Sequence, residues 1–383
     1  MPTQPALHGI KVLDLSRFIA GPMCGMQLGD MGADVVKVEK KGTGDDTRLN
    51  EPRLKGESTY FLSFNRNKRS VELDFRDPAD QEKLRRLASK ADIMIENFRS
   101  GTLEKMGCGW EVLSALNPRL ILVRISGFGQ DGPYASRACF DVIAQAMGGL
   151  MHITGQPDGP PTMAGTFFVD YATSLYATIG ALSALRARAE SGQGQLVEAT
   201  LLETASSMLM SAIPDFKELG LSMGRMGNRD RYSAPVNSFR CADGEWVYLS
   251  AGTDALFRRY VEAASTPGLL ADPRFASASA RLENQDAVEA AVQDWTLRHG
   301  SDAIVELMEE AGVPCAKIAR IDDVVANPQL LHRNQIVELQ HPGVGSYTTH
   351  GVTVTLHGSP GSIRMPAPML GQHTAEVFAD WAI

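Results

Sequence analysis

Short apolar runs separated by helical stretches govern what the first two hundred residues can become. Residues 10–15 (IKVLDL), 34–39 (DVVKVE), 92–96 (DIMIE) and 120–126 (LILVRIS) are rich in Val, Ile and Leu and read as buried strands. Helical patterns fall between them, at about 22–31, 78–90 and 111–116. Strands alternating with helices predict an α/β fold whose parallel sheet is covered on both faces. Ligands of such sheets bind beyond the carboxyl ends of the strands.

A long helix is predicted over 171–190, where Leu175, Ile179, Leu182 and Leu185 form an apolar stripe at helical spacing. Ser191-Gly192-Gln193-Gly194 stops it, residues 195–199 follow as a further strand, and 201–212 as a helix ending near Pro214. From about Gly220 the chain turns rich in Gly, Arg and polar residues and reads as a linker over 216–235. A smaller α+β domain is expected over 236–323, with a strand at 245–250 and amphipathic helices at 284–298 and 302–311. In the second helix Ile304, Leu307, Met308 and Ala311 share a face. A second linker covers 324–345, after which the chain is again β-rich and rich in Gly and Pro.

Charge narrows the partners. The formal net charge is −8, which argues against a protein that coats DNA or RNA. Residues 1–140 nevertheless hold 21 Lys and Arg against 18 Asp and Glu, while the remainder holds 16 against 27. The N-terminal third is therefore the better home for a polyanionic small molecule, although scatter from solvated helix faces gives the same totals. The five cysteines show no CxxC and no zinc spacing, which fits reduced thiols and a cytoplasmic location. No signal peptide is apparent, and the uncharged stretch 142–157 is too short to span a bilayer.

Several chemistries are absent from the string. There is no Walker A or HExxH motif, and the glycines after the first strand, at 25, 29 and 32, do not follow GxGxxG. A nicotinamide or flavin dinucleotide site after the first strand is thereby disfavoured. The loop Arg17-Phe18-Ile19-Ala20-Gly21-Pro22 leads into a helix whose first N–H groups suit an anion or a carbonyl ligand. Asn65-Arg66-Asn67-Lys68-Arg69 forms a dense basic and amide cluster, with Lys40, Lys41, Arg48, Arg76, Arg99, Lys105 and Arg137 nearby in sequence. Such residues either pair with phosphates or remain solvated surface charges. Asp170 precedes the long helix. It fits an N-cap, and it equally fits a carboxylate held ionised by the helix dipole and ready to act as a nucleophile.

The strings GIKVLDLSRFIAGP, LGDMGADVVKVEKKGTGDDTR, FNRNKRSVELD, ADIMIENFRSGTLEKMG, ISGFGQDGP and FDVIAQAMGGLMHITG resemble, in order, those of the class III CoA-transferases. SGQGQLVEATLLE, CADGEWVYLSAG, DPRF, AGVPCAKI and RMPAPMLGQHTAEV extend the resemblance across nearly the whole chain. This family of formyl-CoA and carnitine CoA-transferases also includes the α-methylacyl-CoA racemases. The resemblance implies an open Rossmann-like large domain, built from 1–215 with 346–383, plus the small domain, in an interlocked homodimer. It implies transfer of CoA from an acyl-CoA thioester to a carboxylic acid, with no prosthetic group, no metal, and neither nucleic acid nor membrane as partner. The catalytic aspartate falls on Asp170. CoA contacts fall on Phe18, Ile19, Ala20, Lys40, Leu73, Arg76, Asn97, Phe98, Lys105, Met106 and Arg137, and oxyanion donors on the backbone of Gly148 and Gly149.

Two alternatives stand beside the transferase. A racemase needs a base on each face of the substrate carbon, and that family places a histidine where this chain has Phe140, which cannot titrate. His152 lies outside the motif. A CoA-binding protein without chemistry is the second alternative, and the presence of Asp170 argues against it. The glycine run of oxalate-using members is missing; residues 223–229 read MGRMGNR instead. Arg225, Arg229 or Arg231 are therefore candidates for binding the distal carboxylate of a dicarboxylic acid such as succinate.

Overall fold

The computed structural model describes residues 4–383. Six strands form one parallel sheet: β1 (Lys11–Asp14), β2 (Asp34–Lys40), β3 (Lys68–Leu73), β4 (Ile93–Glu96), β5 (Ile121–Ser126) and β6 (Leu196–Thr200). Their order is β3-β2-β1-β4-β5-β6, so strand order reverses between β1 and β4. In a doubly wound sheet that reversal opens a crevice at the carboxyl ends of the two strands.

Alternation along each strand sends neighbours to opposite faces. Val12, Val35, Ile93, Ile121 and Val123 pack on one face with Ala20, Cys24 and Leu28 of α1 (Ala20–Asp30). Leu13, Val36, Val71, Met94 and Leu122 pack on the other with Leu84 and Leu87 of α2 (Pro78–Lys90). Because both faces are covered, the strands read as continuous apolar runs rather than alternating ones. The tail completes the second face: Val377 of the helix Thr374–Asp380 and the following Trp381 are buried in the same core. Arg69 ties the tail down electrostatically, pairing with Asp34, Glu376 and Asp380.

After α3 (Asp141–Met147), the predicted long helix runs as α4 (Phe168–Ser191), ended by Gly192 at φ +75° as a left-handed cap. Its buried face differs from the expected stripe. Leu175 and Ile179 are 51% and 58% exposed, while Leu182 and Leu185 only border the core. Ala172, Ala177, Ala181 and Ala184 are buried instead, and Thr178 Oγ1 donates to Gln27 Oε1 of α1 at 2.7 Å. Small residues let the two helix backbones approach closely, so the large ones turn outward. The helix expected over 201–212 stops at Ser207, and Pro214 lies within the first turn of a new helix, Ala212–Leu219, where its missing N–H costs little.

The chain divides into two compact units: Met1–Leu150, Met163–Lys217 and Pro328–Ile383 form one, Met151–Thr162 and Glu218–Asn327 the other. The smaller unit has a three-stranded antiparallel sheet in which Trp246–Ser250 lies between Val236–Arg240 and Cys315–Lys317. Its core joins Phe239, Val247 and Leu249 to Phe257, Val288, Val292, Ile304 and Met308 from the helices, with Leu307 and Ala311 at its margin. The stretch expected as the second linker carries the helix Pro328–His332 and the strand Ile336–His341, which pairs with Gly345–His350 as a hairpin. Among the described residues no helix is long and apolar enough to cross a membrane.

Candidate active site

A cavity of about 380 Å³ opens where strand order reverses. The loops after β1, β4 and β5 line it, together with Phe140 before α3 and Asp170 in the first turn of α4. A smaller cavity of about 120 Å³ shares Arg17, Asp46 and Phe98 with it and adds Lys40 and Phe75.

The loop after β1 rests on a buried polar stack. Asp14 and Lys68 pair at 2.8 Å and Lys37 and Asp45 at 2.9 Å, all four side chains shielded from water. Asp14 also accepts from the Ser16 backbone N–H at 2.9 Å and from the Ser16 hydroxyl, and Lys37 Nζ donates to the Ser16 carbonyl at 2.8 Å. Burial alone drives a carboxyl pKa up, but Lys68 and Lys37 outweigh it and hold Asp14 below its ordinary value. Helix α1 fits over this stack only because Gly21 and Gly25 face it. A Cβ on Gly21 would sit 2.1 Å from Ser16 Cβ, and one on Gly25 2.9 Å from Asp14 Oδ2. Farther along, Asn97 clamps Arg17 from both sides: its Oδ1 accepts the Arg17 N–H at 2.8 Å and its Nδ2 donates to the Arg17 carbonyl at 2.7 Å. Phe18 then takes φ +66°, a conformation costly for a bulky side chain.

Asp170 does not cap its own helix. Asp141, at the start of α3, does so from outside: its Oδ2 accepts the Val169 N–H at 2.7 Å and the Asp170 N–H at 3.0 Å. Gln145 Nε2 holds the other oxygen of Asp141 at 2.5 Å. The first-turn N–H groups expected to keep Asp170 ionised are thus spent on its neighbour. Burial, with the Asp141 charge added, pushes Asp170 up to about 7. Burial and then Asp170 also raise the phenol of Tyr60, and the Cys139 thiol is pushed up to about 11 by the same two causes.

The residues singled out in the sequence divide by position. Phe18, Ile19, Ala20, Asn97, Phe98, Arg137 and Asp170 line the main cavity, and Lys40 the smaller one. Leu73 and Met106 are buried in the core beneath, while Arg76 and Lys105 are exposed and line neither cavity. Gly148 is unavailable as an oxyanion donor in this conformation. Its N–H donates to the Ala144 carbonyl at 2.7 Å, closing α3, and neither it nor Gly149 lines the cavity.

The basic cluster is structural. Arg66 pairs with Asp30, Lys68 with Asp14, and Arg69 with Asp34, all largely buried. In the smaller unit, Arg229 is neutralised by Asp286 and Glu289, at 2.6 and 2.7 Å, and is not free to hold a substrate carboxylate. Arg225 donates to the carbonyls of His152 and Gln156, and Arg231 to that of Gly224, so neither is neutralised by these contacts. Sequence reasoning missed Asp141 and Phe75. Asp141 stands second in the string FDVIAQAMGGLMHITG, next to Phe140, but a cap supplied by a distant helix leaves no local signal.

Comparison with known proteins gives a consistent picture. The model of CoA-transferase family III matches residues 7–374. The chain is 40% identical over 380 residues to the succinyl-CoA–D-citramalate CoA-transferase of Chloroflexus aurantiacus, covering 99% of this chain and 94% of that protein. It is 34% identical to the human succinyl-CoA:glutarate CoA-transferase, covering 98% of this chain and 85% of that one. Among solved structures, a CAIB/BAIF family protein from Brucella suis superposes with a TM-score of 0.89 at 36% identity, over 99% of this chain and all of the other.

Proposed function

This chain belongs to CoA-transferase family III, and on that premise we propose that it moves CoA from an acyl-CoA thioester to a carboxylic acid, with Asp170 as nucleophile. The observation that carries the reading is the carboxyl of Asp170, desolvated and basic, in the wall of a cavity at the strand-order reversal. A carboxylate of raised pKa is the stronger nucleophile once ionised, and near neutral pH an appreciable fraction is ionised.

An Asp170 oxygen attacks the thioester carbonyl carbon, the carbon–sulfur bond breaks, and an acyl-aspartyl anhydride and CoA thiolate result. The thiolate attacks the aspartyl carbonyl, releasing the donor acid as carboxylate and leaving an aspartyl-CoA thioester. An acceptor carboxylate attacks that thioester, re-forming an anhydride and thiolate. The thiolate then takes the acceptor's acyl group, giving the new acyl-CoA and free Asp170. Each step exchanges an acyl group between oxygen and sulfur, so the scheme requires no redox group or metal.

Relatives named for transfer from succinyl-CoA to citramalate, malate or glutarate support a dicarboxylic acid as donor or acceptor. Lys40, Arg76, Lys105 and Arg137 are exposed and form no ion pair among the described residues, which suits the phosphates of CoA. No histidine lines the cavity beside Asp170, which speaks against racemisation. The apolar side chains that α4 and the helix Ala212–Leu219 turn outward, Leu175, Tyr176, Ile179, Ile213 and Phe216, support a second copy of the chain as partner, in the interlocked homodimer of the family. Five free cysteines support a reducing, cytoplasmic setting.

The test is a panel of mono- and dicarboxylic acids assayed with succinyl-CoA, following each new acyl-CoA by mass spectrometry. Dicarboxylates should be the preferred acceptors, and Asp170→Ala should lower transfer about a thousandfold or more. An unchanged rate in Asp170→Ala would refute the reading.

A further inference from the structure

Two aromatic rings from distant parts of the chain meet on the wall that holds Asp170. Phe18, after β1, and Phe140, before α3, make an edge-to-face contact with centroids 5.5 Å apart at 81°. Neither ring serves the core. Phe140 is 60% exposed, and Phe18 is half-buried on a backbone at φ +66°. A bulky residue in that conformation persists only where its surroundings impose it. Here the Asn97 clamp on Arg17 and the Asp45 carboxylate, which accepts the Phe18 N–H at 3.4 Å, do so.

Phe140 is placed just as firmly, and relative to the nucleophile. Its carbonyl accepts the N–H groups of Ile143 and Ala144 at 2.9 and 3.2 Å, fixing it at the entry of α3. The next residue, Asp141, is the one hydrogen-bonded to the Asp170 backbone. The ring pair and the carboxylate therefore share one rigid frame. Ile19, Ala20, Cys139 and Leu201 extend the apolar part of the same wall.

We propose that the Phe18–Phe140 pair is a water shield over Asp170, which makes the site a transferase rather than a thioesterase. The proposal rests on the aspartyl-anhydride reading given above. The anhydride reacts with any nucleophile that reaches it. Were water to arrive, its oxygen would bond to the donor acyl carbon and that carbon's bond to the Asp170 oxygen would break. One proton of the water leaves with the acid, the other passes through solvent to the CoA thiolate, and acyl-CoA is consumed without transfer. Two apolar rings on the wall that holds Asp170 offer water no hydrogen-bond partner, while the CoA thiolate is brought there by the binding of the rest of the CoA molecule. The rings touch no proton in the reaction, so they act as shielding residues and not as catalytic ones.

The experiment compares CoA release to water with CoA transfer, using succinyl-CoA with and without glutarate, for wild type, Phe140→Ala, the Phe18→Ala/Phe140→Ala double variant and the Phe18→Leu/Phe140→Leu pair. Since Phe140 is mostly exposed, its single variant remains folded and keeps the test informative should the double variant fail to fold. The ratio of hydrolysis to transfer should rise about tenfold or more in the alanine variants and stay near wild type in the leucine pair. Adding Asp170→Asn to Phe140→Ala should abolish the hydrolysis. A ratio unmoved by alanine, with both rates falling together, overturns the shield, as does hydrolysis that survives Asp170→Asn. Absence of transfer in the wild type with any acceptor would instead remove the transferase reading itself.

Discussion

The carboxylate of Asp141 accepts the backbone N–H of Asp170 at 3.0 Å, so one acidic side chain caps the helix that carries the other. The arrangement separates two jobs that a lone first-turn aspartate would have to combine. Asp141 takes the hydrogen bonds and the favourable helix field, and Asp170 is left desolvated, pushed up to about 7.

Removing the Asp141 charge should therefore lower the Asp170 pKa. With wild type, kcat/KM for acyl-CoA should rise with pH through about 7, as the nucleophile ionises. Asp141→Asn keeps one oxygen for the helix N–H groups, and its rise should move to lower pH. Asp141→Ala also loses the cap and should cost about 1–2 kcal/mol of stability by urea denaturation. A pH–rate profile for Asp141→Asn superimposable on wild type would show that Asp141 acts only as a cap.

Stability should carry the same signature. The folded-state pKa of Asp170 lies above its ordinary value of 3.8, so the native state holds the proton more tightly. Stability is lost as pH rises from about 4 through 7, by at most about 4 kcal/mol and by less for a partly exposed group. Asp170→Asn should thus raise the melting temperature at pH 8, with the gain shrinking as pH falls toward 4. An equal change at both pH values would locate the effect in packing.

Asn97 should matter for binding more than for chemistry. Its two hydrogen bonds to the Arg17 backbone fix the loop that carries Phe18, Ile19 and Ala20. Asn97→Ala should cost about 1–3 kcal/mol of stability. It should raise KM for the acyl-CoA while leaving KM for the acceptor acid near wild type, measured by steady-state kinetics with each substrate varied in turn. Equal changes in both constants would argue against a role confined to the loop.

The tail should be indispensable to the large unit. Trp381 is 2% exposed in the core beneath α2, and its Nε1 donates to Asp34 Oδ2 at 3.1 Å. Trp381→Ala should cost about 3–5 kcal/mol in urea denaturation.

The sheet was legible because its strands are buried on both faces: Val12 and Leu13 face opposite ways, yet each meets a helix, so the run reads as uniformly apolar. Periodicity failed on α4 for a related reason. It marks an apolar stripe without saying what covers it, and here alanines meet α1 while Leu175 and Ile179 stay outside. Charge patterns were equally mute about depth. Lys68 and Arg66 look like surface or phosphate-binding residues in the string, but their partners Asp14 and Asp30 lie 54 and 36 positions away and become neighbours only through the sheet. Asp170 could be singled out from its place at the start of a helix. Its elevated pKa could not, since that depends on burial and on Asp141 across a loop.

A covalent bond between Asp170 and the group in transit is read directly by intact-mass spectrometry. Wild-type protein incubated with succinyl-CoA and quenched in acid should gain the mass expected for an aspartyl-CoA thioester, borne by the peptide containing Asp170 and absent from Asp170→Ala. The same adduct on Asp170→Ala, or none on a wild-type enzyme that is demonstrably transferring CoA, would contradict the account.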